Sequence, residues 1–191
     1  MRNIIGKSVL WGMCGMLLAS CQTFQHARET ANIRYSAPKL GSTVATVYCE
    51  GTANCEFERI NNIVIVDEST HLINPSAIGQ GYVRLKQRST FDSNAIFLTL
   101  PAQQHEVVIR FYPISPDRAE KINVIQNFKP NKHYKFVMYR DRIKRSNNLL
   151  SVSVPDPLCV KLMENEKVIR RFCKPYNVLN GLGEFIEQKA G

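Results

Sequence analysis

The sequence predicts an all-β fold, an antiparallel β-sandwich of about 7 to 10 strands. Three observations carry this. From Thr43 onward, short runs rich in β-branched and aromatic residues recur about every dozen residues between turn-forming residues. Within those runs apolar and polar positions alternate. In Val107-Val108-Ile109-Arg110-Phe111 the first, third and fifth residues share an apolar face, and Arg110 should point away from it, as in a half-buried antiparallel strand. Helical periodicity is nearly absent. At 191 residues with 44% apolar and 21% charged content, the chain suits one globular domain with extensions rather than a disordered or fibrous protein.

Residues 1–20 have the three-part plan of an export signal. Arg2 and Lys7 give a positive start, an apolar run follows from Val9 to Ala19, and small residues close it. A stable transmembrane helix needs about 20 apolar residues, so cleavage is the better expectation. The stretch Leu18-Ala19-Ser20-Cys21 resembles the lipobox of bacterial lipoproteins, in which an aliphatic residue and two small residues precede a cysteine. The resemblance implies cleavage before Cys21 and alkylation of its thiol by a diacylglycerol group. It also implies several acyl chains, where one alone would bind a membrane only marginally. Gln22 stands where an aspartate tends to retain such proteins in the inner membrane, which implies an outer-membrane anchor facing the periplasm. Residues 21–42 are polar, carry Pro38 and Gly41 and show no sustained periodicity, so they read as a flexible tether of up to roughly 60 Å.

The β domain is expected over residues 43–174. Candidate strands are 43–49, 57–67, 82–87, 95–100, 106–112, 121–128, 134–140, 149–154, 158–163 and 168–173. The tail, 175–191, is expected to hold a short helix from about Leu179 to Lys189, weakened by Gly181 and Gly183. Of six cysteines, Cys14 leaves with the signal and Cys21 takes the lipid. Cys49, Cys55, Cys159 and Cys173 remain. An even remainder in an oxidising compartment predicts two disulfides in one of three connectivities, and proximity in sequence favours Cys49 with Cys55 and Cys159 with Cys173. A zinc site is the competing reading, but no histidine stands at ligand spacing and there is no C-x-x-C. A three-residue loop at Asn165-Glu166-Lys167 would pair Met163 with Ile169, Lys161 with Arg171, and Cys159 with Cys173, a bridgeable arrangement at a non-hydrogen-bonded position.

Two segments add a second resemblance. Ile96-Phe97-Leu98-Thr99-Leu100-Pro101-Ala102-Gln103-Gln104-His105-Glu106-Val107-Val108-Ile109 has a strand, a proline turn, a histidine and an alternating strand. Phe128-Lys129-Pro130-Asn131-Lys132-His133-Tyr134-Lys135-Phe136 has an aromatic, a proline turn and an aromatic strand start. Both are similar to envelope β-sandwich domains of the PEGA-like kind, which implies a small immunoglobulin-like sandwich used for attachment or display, without catalysis. That family usually places glycine after the turn proline. Here Asn131 tolerates a positive φ, whereas Ala102 and Gln103 tolerate it poorly, so the first turn should be longer or of another type.

Removing Arg2 and Lys7 from a chain with 25 basic and 16 acidic residues leaves an excess of seven positive charges. Such an excess attracts anionic surfaces without conferring specificity. The export signal argues against nucleic acid. Arg84, Lys86 and Arg88 would project from one strand face as a positive stripe, and Arg140, Arg142, Lys144 and Arg145 form the densest basic cluster. These are the candidate contacts for an envelope protein partner or an anionic envelope polymer, against the plainer reading of a solvated face. His105 and His133 stand at strand entrances, His71 in a loop and His26 in the tether, positions that more often satisfy a neighbouring group than carry chemistry. No H-x-x-x-H, H-E-x-x-H or G-x-S-x-G occurs, and nothing calls for a cofactor or a metal. The expected function is a lipid-anchored, non-catalytic binding or assembly module of the cell envelope. A polyanion-binding lipoprotein is the alternative, and a small envelope enzyme a third.

Overall fold

In the computed structural model, residues 24–35, 43–51, 54–86, 90, 94–142, 156–175 and 183–189 are described. Leu18, Ala19, Ser20, Cys21, Cys14, Arg88, Lys144, Arg145 and the run 149–154 lie outside these residues. The described strands are β1 (Val44–Gly51), β2 (Cys55–Ile60), β3 (Ile63–Val64), β4 (Val83–Leu85), β5 (Ile96–Pro101), β6 (Gln104–Ser115), β7 (Arg118–Asn127), β8 (His133–Arg140), β9 (Leu158–Glu164), β10 (Lys167–Lys174) and β11 (Ile186–Gln188). They form a seven-stranded sheet in the order β11-β10-β9-β8-β1-β5-β4 and a four-stranded sheet in the order β3-β2-β6-β7. The arrangement is sandwich-like, and all pairings are antiparallel except β1 with β8.

Period-two alternation builds the core. Ala45, Val47 and Cys49 of β1, Leu98 and Leu100 of β5, and Tyr134, Phe136 and Met138 of β8 face inward from the larger sheet. Phe57 and Ile60 of β2, Val107, Ile109 and Phe111 of β6, and Ile122 and Val124 of β7 meet them from the smaller one. The Cys49–Cys55 disulfide joins β1 to β2 and so ties the two sheets together, and Cys159–Cys173 bridges directly opposed residues of β9 and β10. Arg170 of β10 donates to the Ile125 carbonyl of β7 at 2.6 Å, and Lys174 donates to Glu120 at 2.6 Å, closing the gap between the sheets on that side.

Several sequence expectations are corrected. The described residues hold eleven strands: of the ten expected, the run 149–154 lies outside them, the run 57–67 breaks at Asn61, which adopts φ 48, to give β2 and β3, and the tail contributes β11. In place of a helix, Ile186–Gln188 pairs with β10, where an open edge offers backbone partners that a glycine-interrupted tail can use. The β9–β10 loop has two residues, Asn165 and Glu166, at φ 46 and φ 68, so Met163 pairs with Val168 rather than Ile169. A bulge between Val168 and Arg170 then restores the register that opposes Cys159 to Cys173. The Pro101 turn is short: Gln103 donates back to the Pro101 carbonyl at 2.9 Å, and no positive φ falls on Ala102 or Gln103, whereas Asn131 takes φ 56.

Within the expected tether, residues 24–35 are helical (α1) and packed on the domain. The buried face runs through His26, Glu29, Thr30 and Ile33, a true helical spacing carried mostly by polar residues, which is why hydrophobic periodicity missed it. Glu29 accepts from the Ile73 backbone N–H at 2.5 Å, and Thr30 accepts from that of Thr90 at 3.2 Å. A second helix, α2 (Pro75–Gly79), starts at Asn74, whose side chain accepts from the Ser76 backbone N–H, with Pro75 at its first position. No helix among the described residues is long and apolar enough to cross a membrane.

Candidate functional site

Alternation along β1 sends Thr46, Tyr48 and Glu50 to the outer face of the seven-stranded sheet. The parallel register with β8 sets Thr46 beside His133 and Tyr48 beside Lys135, and Thr46 Oγ1 lies 2.7 Å from His133 Nδ1. On the other side, Phe97 of β5 stacks on Tyr48 with ring centroids 4.9 Å apart. The Asn165-Glu166 turn reaches over from the β9–β10 hairpin. Asn165 accepts from the His133 backbone N–H at 2.9 Å, and Glu166 accepts from Lys135 Nζ at 3.3 Å. Together Tyr48, Glu50, Lys86, His133, Lys135 and Glu166 line a groove of about 270 Å³.

The charges in this groove are matched internally. Lys86 donates to Glu50 at 2.6 Å and lies 6.0 Å from the Tyr48 ring centroid, while Lys135 lies 3.6 Å from Glu50 and 3.3 Å from Glu166. The Lys86 hydrogen bond holds the Glu50 carboxyl below its usual range against a smaller opposing effect of burial, with Lys135 adding to it. Burial works against the Lys135 charge, but Glu166 and Glu50 more than offset it and its pKa is raised.

Of the expected positive stripe, Arg84 and Lys86 are described. Arg84 sits on the edge strand β4 opposite Phe97, partly buried, with Nη1 donating to the Val83 carbonyl at 3.0 Å, and burial lowers its pKa. It is folded against the sheet rather than projected as a free charge, and Lys86 is paired with Glu50. In the second basic cluster, Arg140 donates to the Asp156 carbonyl at 3.3 Å and Arg142 is exposed. The like-charged pair Lys161 and Arg171 does stand in register, but Arg171 is bound by Asp141 and Lys161 lies 5.8 Å from the Tyr139 ring centroid. Asp141, Cys159 and Cys173 are the described residues whose candidate metal-ligand atoms cluster, yet both sulfurs are held in their disulfide and offer no thiolate.

The outer face of the four-stranded sheet is built differently. Arg110 is fully buried, not solvent-facing as the alternation of its strand predicted. The segment after β3 folds over it: Nη2 donates to the Val66 carbonyl at 2.9 Å and lies 3.2 Å from Glu56, and Nη1 lies 3.9 Å from Glu58 and 4.0 Å from Glu68. A bulge between Phe57 and Arg59 gives β2 its extra outward residue, Glu58, beside Glu56. Lys121 of β7 closes the cluster at 3.0 Å from both Glu58 and Glu68. Asp67 organises the covering segment by accepting from the Ser69 hydroxyl, the Thr70 backbone N–H and the Thr70 hydroxyl, and these bonds hold its carboxyl well below the usual range.

Beside this cover lies a cleft of about 190 Å³, at the seam with α1, where His26, Glu29, Glu56 and His71 are among the lining residues. His71, at φ 57, holds its Nδ1 3.0 Å from Glu56, which also accepts from Tyr112 Oη at 2.8 Å; burial and this carboxylate raise the Tyr112 pKa. His26 uses Nδ1 for both Glu29 at 3.1 Å and Thr90 Oγ1 at 3.2 Å. A relay from carboxylate through imidazole to hydroxyl needs the two ring nitrogens to take different partners. The Glu29 and Thr90 contacts of His26 share one ring nitrogen, so the cleft brings imidazoles and carboxylates together on Nδ1. His105 is buried. Its Nε2 donates to the Pro101 carbonyl at 3.1 Å, so Nδ1, 3.0 Å from Asn61 Nδ2, accepts from it.

Sequence reasoning identified Lys86 but missed Tyr48, Glu50, Lys135 and Glu166. The outward set Thr46-Tyr48-Glu50 is visible as period-two spacing, but its meeting with β8, on the far side of the domain in sequence, is not. Comparison with protein-family models, curated proteins and solved structures finds no match to this chain.

Proposed function

We propose that the protein is a lipid-anchored lipoprotein of the outer membrane, facing the periplasm, and that its sandwich is a non-catalytic binding or assembly module of the cell envelope. The observation that carries this reading is that Cys49, Cys55, Cys159 and Cys173 are all consumed in two disulfides. Such bridges persist in oxidising compartments, where the signal-like residues 1–20 and Cys21 would direct the chain. The internally matched charges of the outer groove favour a binding surface chosen by shape and hydrogen bonding over a polyanion-binding one.

The test is fractionation of cells expressing the Cys21→Ser variant, with radiolabelled palmitate as the lipid reporter. The variant should lose label, remain unprocessed by the lipoprotein signal peptidase, and keep its disulfides. A Cys21→Ser protein that is normally processed and still labelled would overturn the anchor. Charge reversal at Arg84, Lys86 and Arg88, read by crosslinked partners and by recovery with cell-wall material, then tests the basic stripe: unchanged recovery of both removes it from the reading.

A further inference from the structure

We propose that the groove lined by Tyr48, Glu50, Lys86, His133, Lys135 and Glu166 binds a pyranose ring of an uncharged envelope glycan. The proposal rests on the envelope reading above for where such a ligand is met, but not for the chemistry of the groove. Three observations point to a sugar. The first is charge. Two lysines face two carboxylates at 2.6, 3.6 and 3.3 Å, so the groove carries no net positive charge from these four groups, and a phosphate or sulfate would meet Glu50 and Glu166 beside the cations it needs. A neutral ligand is not repelled by the carboxylates, and its hydroxyls can use the ammonium hydrogens and carboxylate lone pairs that the ion pairs leave over.

The second is the mixture of hydrogen-bonding groups. Ammonium donors, carboxylate acceptors and the His133 ring stand around a single opening, and a vicinal pair of hydroxyls can accept from an ammonium while donating to a carboxylate. Tyr48 adds an electron-rich ring, held in place by Phe97 on its β5 side, against which the slightly positive C–H face of a pyranose packs. A volume of about 270 Å³ lies just below the range of drug-sized ligand sites, enough for a ring rather than an extended molecule.

The third is Glu166. A two-residue hairpin turn with positive φ at both positions favours glycine at the second, and this turn has a glutamate there at φ 68. Glycine would adopt that conformation without penalty. The residue the chain uses instead puts a carboxylate over Lys135 at the rim of the groove. Backbone strain of this sort persists where a side chain is needed in place.

The experiment is isothermal titration of the full lipidated protein in a zwitterionic detergent, since an alkyl glycoside would compete. Tri-N-acetylchitotriose and maltotriose are the probes, separating an acetamido-sugar glycan from a plain hexose, and a heparin fragment is the polyanion arm. A neutral trisaccharide should bind with a dissociation constant near ~1 mM or tighter. Tyr48→Ala should weaken it at least about tenfold and Tyr48→Phe much less, with thermal unfolding confirming that both variants fold. Glu166→Gly should weaken binding while raising the melting temperature, a combination that a purely structural role for Glu166 does not give. The proposal is overturned if neither trisaccharide binds, if Tyr48→Ala and Glu166→Gly leave affinity unchanged, or if heparin alone binds and is released by salt. Any of these leaves the Cys21 fractionation result standing, so the two readings fail separately.

Discussion

On the four-stranded sheet, the carboxylates Glu56, Glu58 and Glu68 converge on one buried guanidinium beneath a folded-over segment, whereas on the seven-stranded sheet Glu50 and Glu166 stand at the rim of a groove. Both outer faces use ion pairs, and both carry positive residues on strands whose neighbours carry negative ones. The difference is desolvation. Arg110 has 0% of its side chain exposed, while the Lys86–Glu50 pair keeps about a third of each side chain in water. A charge out of water demands its partners, and a charge at the surface can exchange them. The first face is therefore a fastening and the second an opportunity for a ligand.

That contrast can be broken most severely at Glu56. Glu56→Ala removes the nearest carboxylate from a buried guanidinium and also takes partners from Tyr112 and His71, so urea unfolding should report a loss of about 3 kcal/mol or more. Removing the buried charge as well, by Arg110→Met together with Glu56→Gln, should recover most of that loss, because no unmatched guanidinium is left out of water and Lys121 still pairs Glu58 and Glu68. If the single and the double variants are equally unstable, the cluster is not held by its charges. On the open face, Lys86→Met should change stability by less than about 1 kcal/mol in the same assay, as expected of a surface pair.

A pH titration sharpens the picture at the corner where the chain passes from one sheet to the other. Burial lowers the His105 pKa in the fold, only partly countered by its hydrogen bond to the Pro101 carbonyl. The unfolded chain therefore binds a proton that the folded chain refuses. Stability from this group should be full above its ordinary value of 6.5 and should decline as pH falls below it. His105→Gln should flatten the denaturant midpoint between neutral and mildly acidic pH. An unchanged slope would place the proton sensitivity elsewhere.

The strands were legible because alternation of apolar and polar residues is a local signal, and β1, β5, β6 and β8 all lie where their runs put them. Cys159 and Cys173 were also legible, since a hairpin register follows from nearby residues even when the turn is misjudged by one position. Arg110 was not. Its strand reads as one-sided, and the cover is supplied by Val66 and Glu68, about 44 residues earlier, through contacts that spacing cannot encode. The helix 24–35 was missed for a related reason: its docking face is held by the hydrogen bonds of Glu29 and Thr30 with only Ile33 as an apolar anchor. The groove shares that character, as β1 supplies one wall and β8 the other.

The parallel pairing of β1 with β8 also bears on the order in which the molecule folds. Thr46 and its partner His133 are 87 residues apart, so β1 cannot complete its pairing until most of the domain has followed it. Such distant contacts slow folding and leave an early strand unsatisfied on both edges. The Cys49–Cys55 bridge spans a separation of only 6 and needs no distant partner. It can close while β1 still waits, turning the chain back on itself so that the strand is held beside β2 when β8 at last arrives.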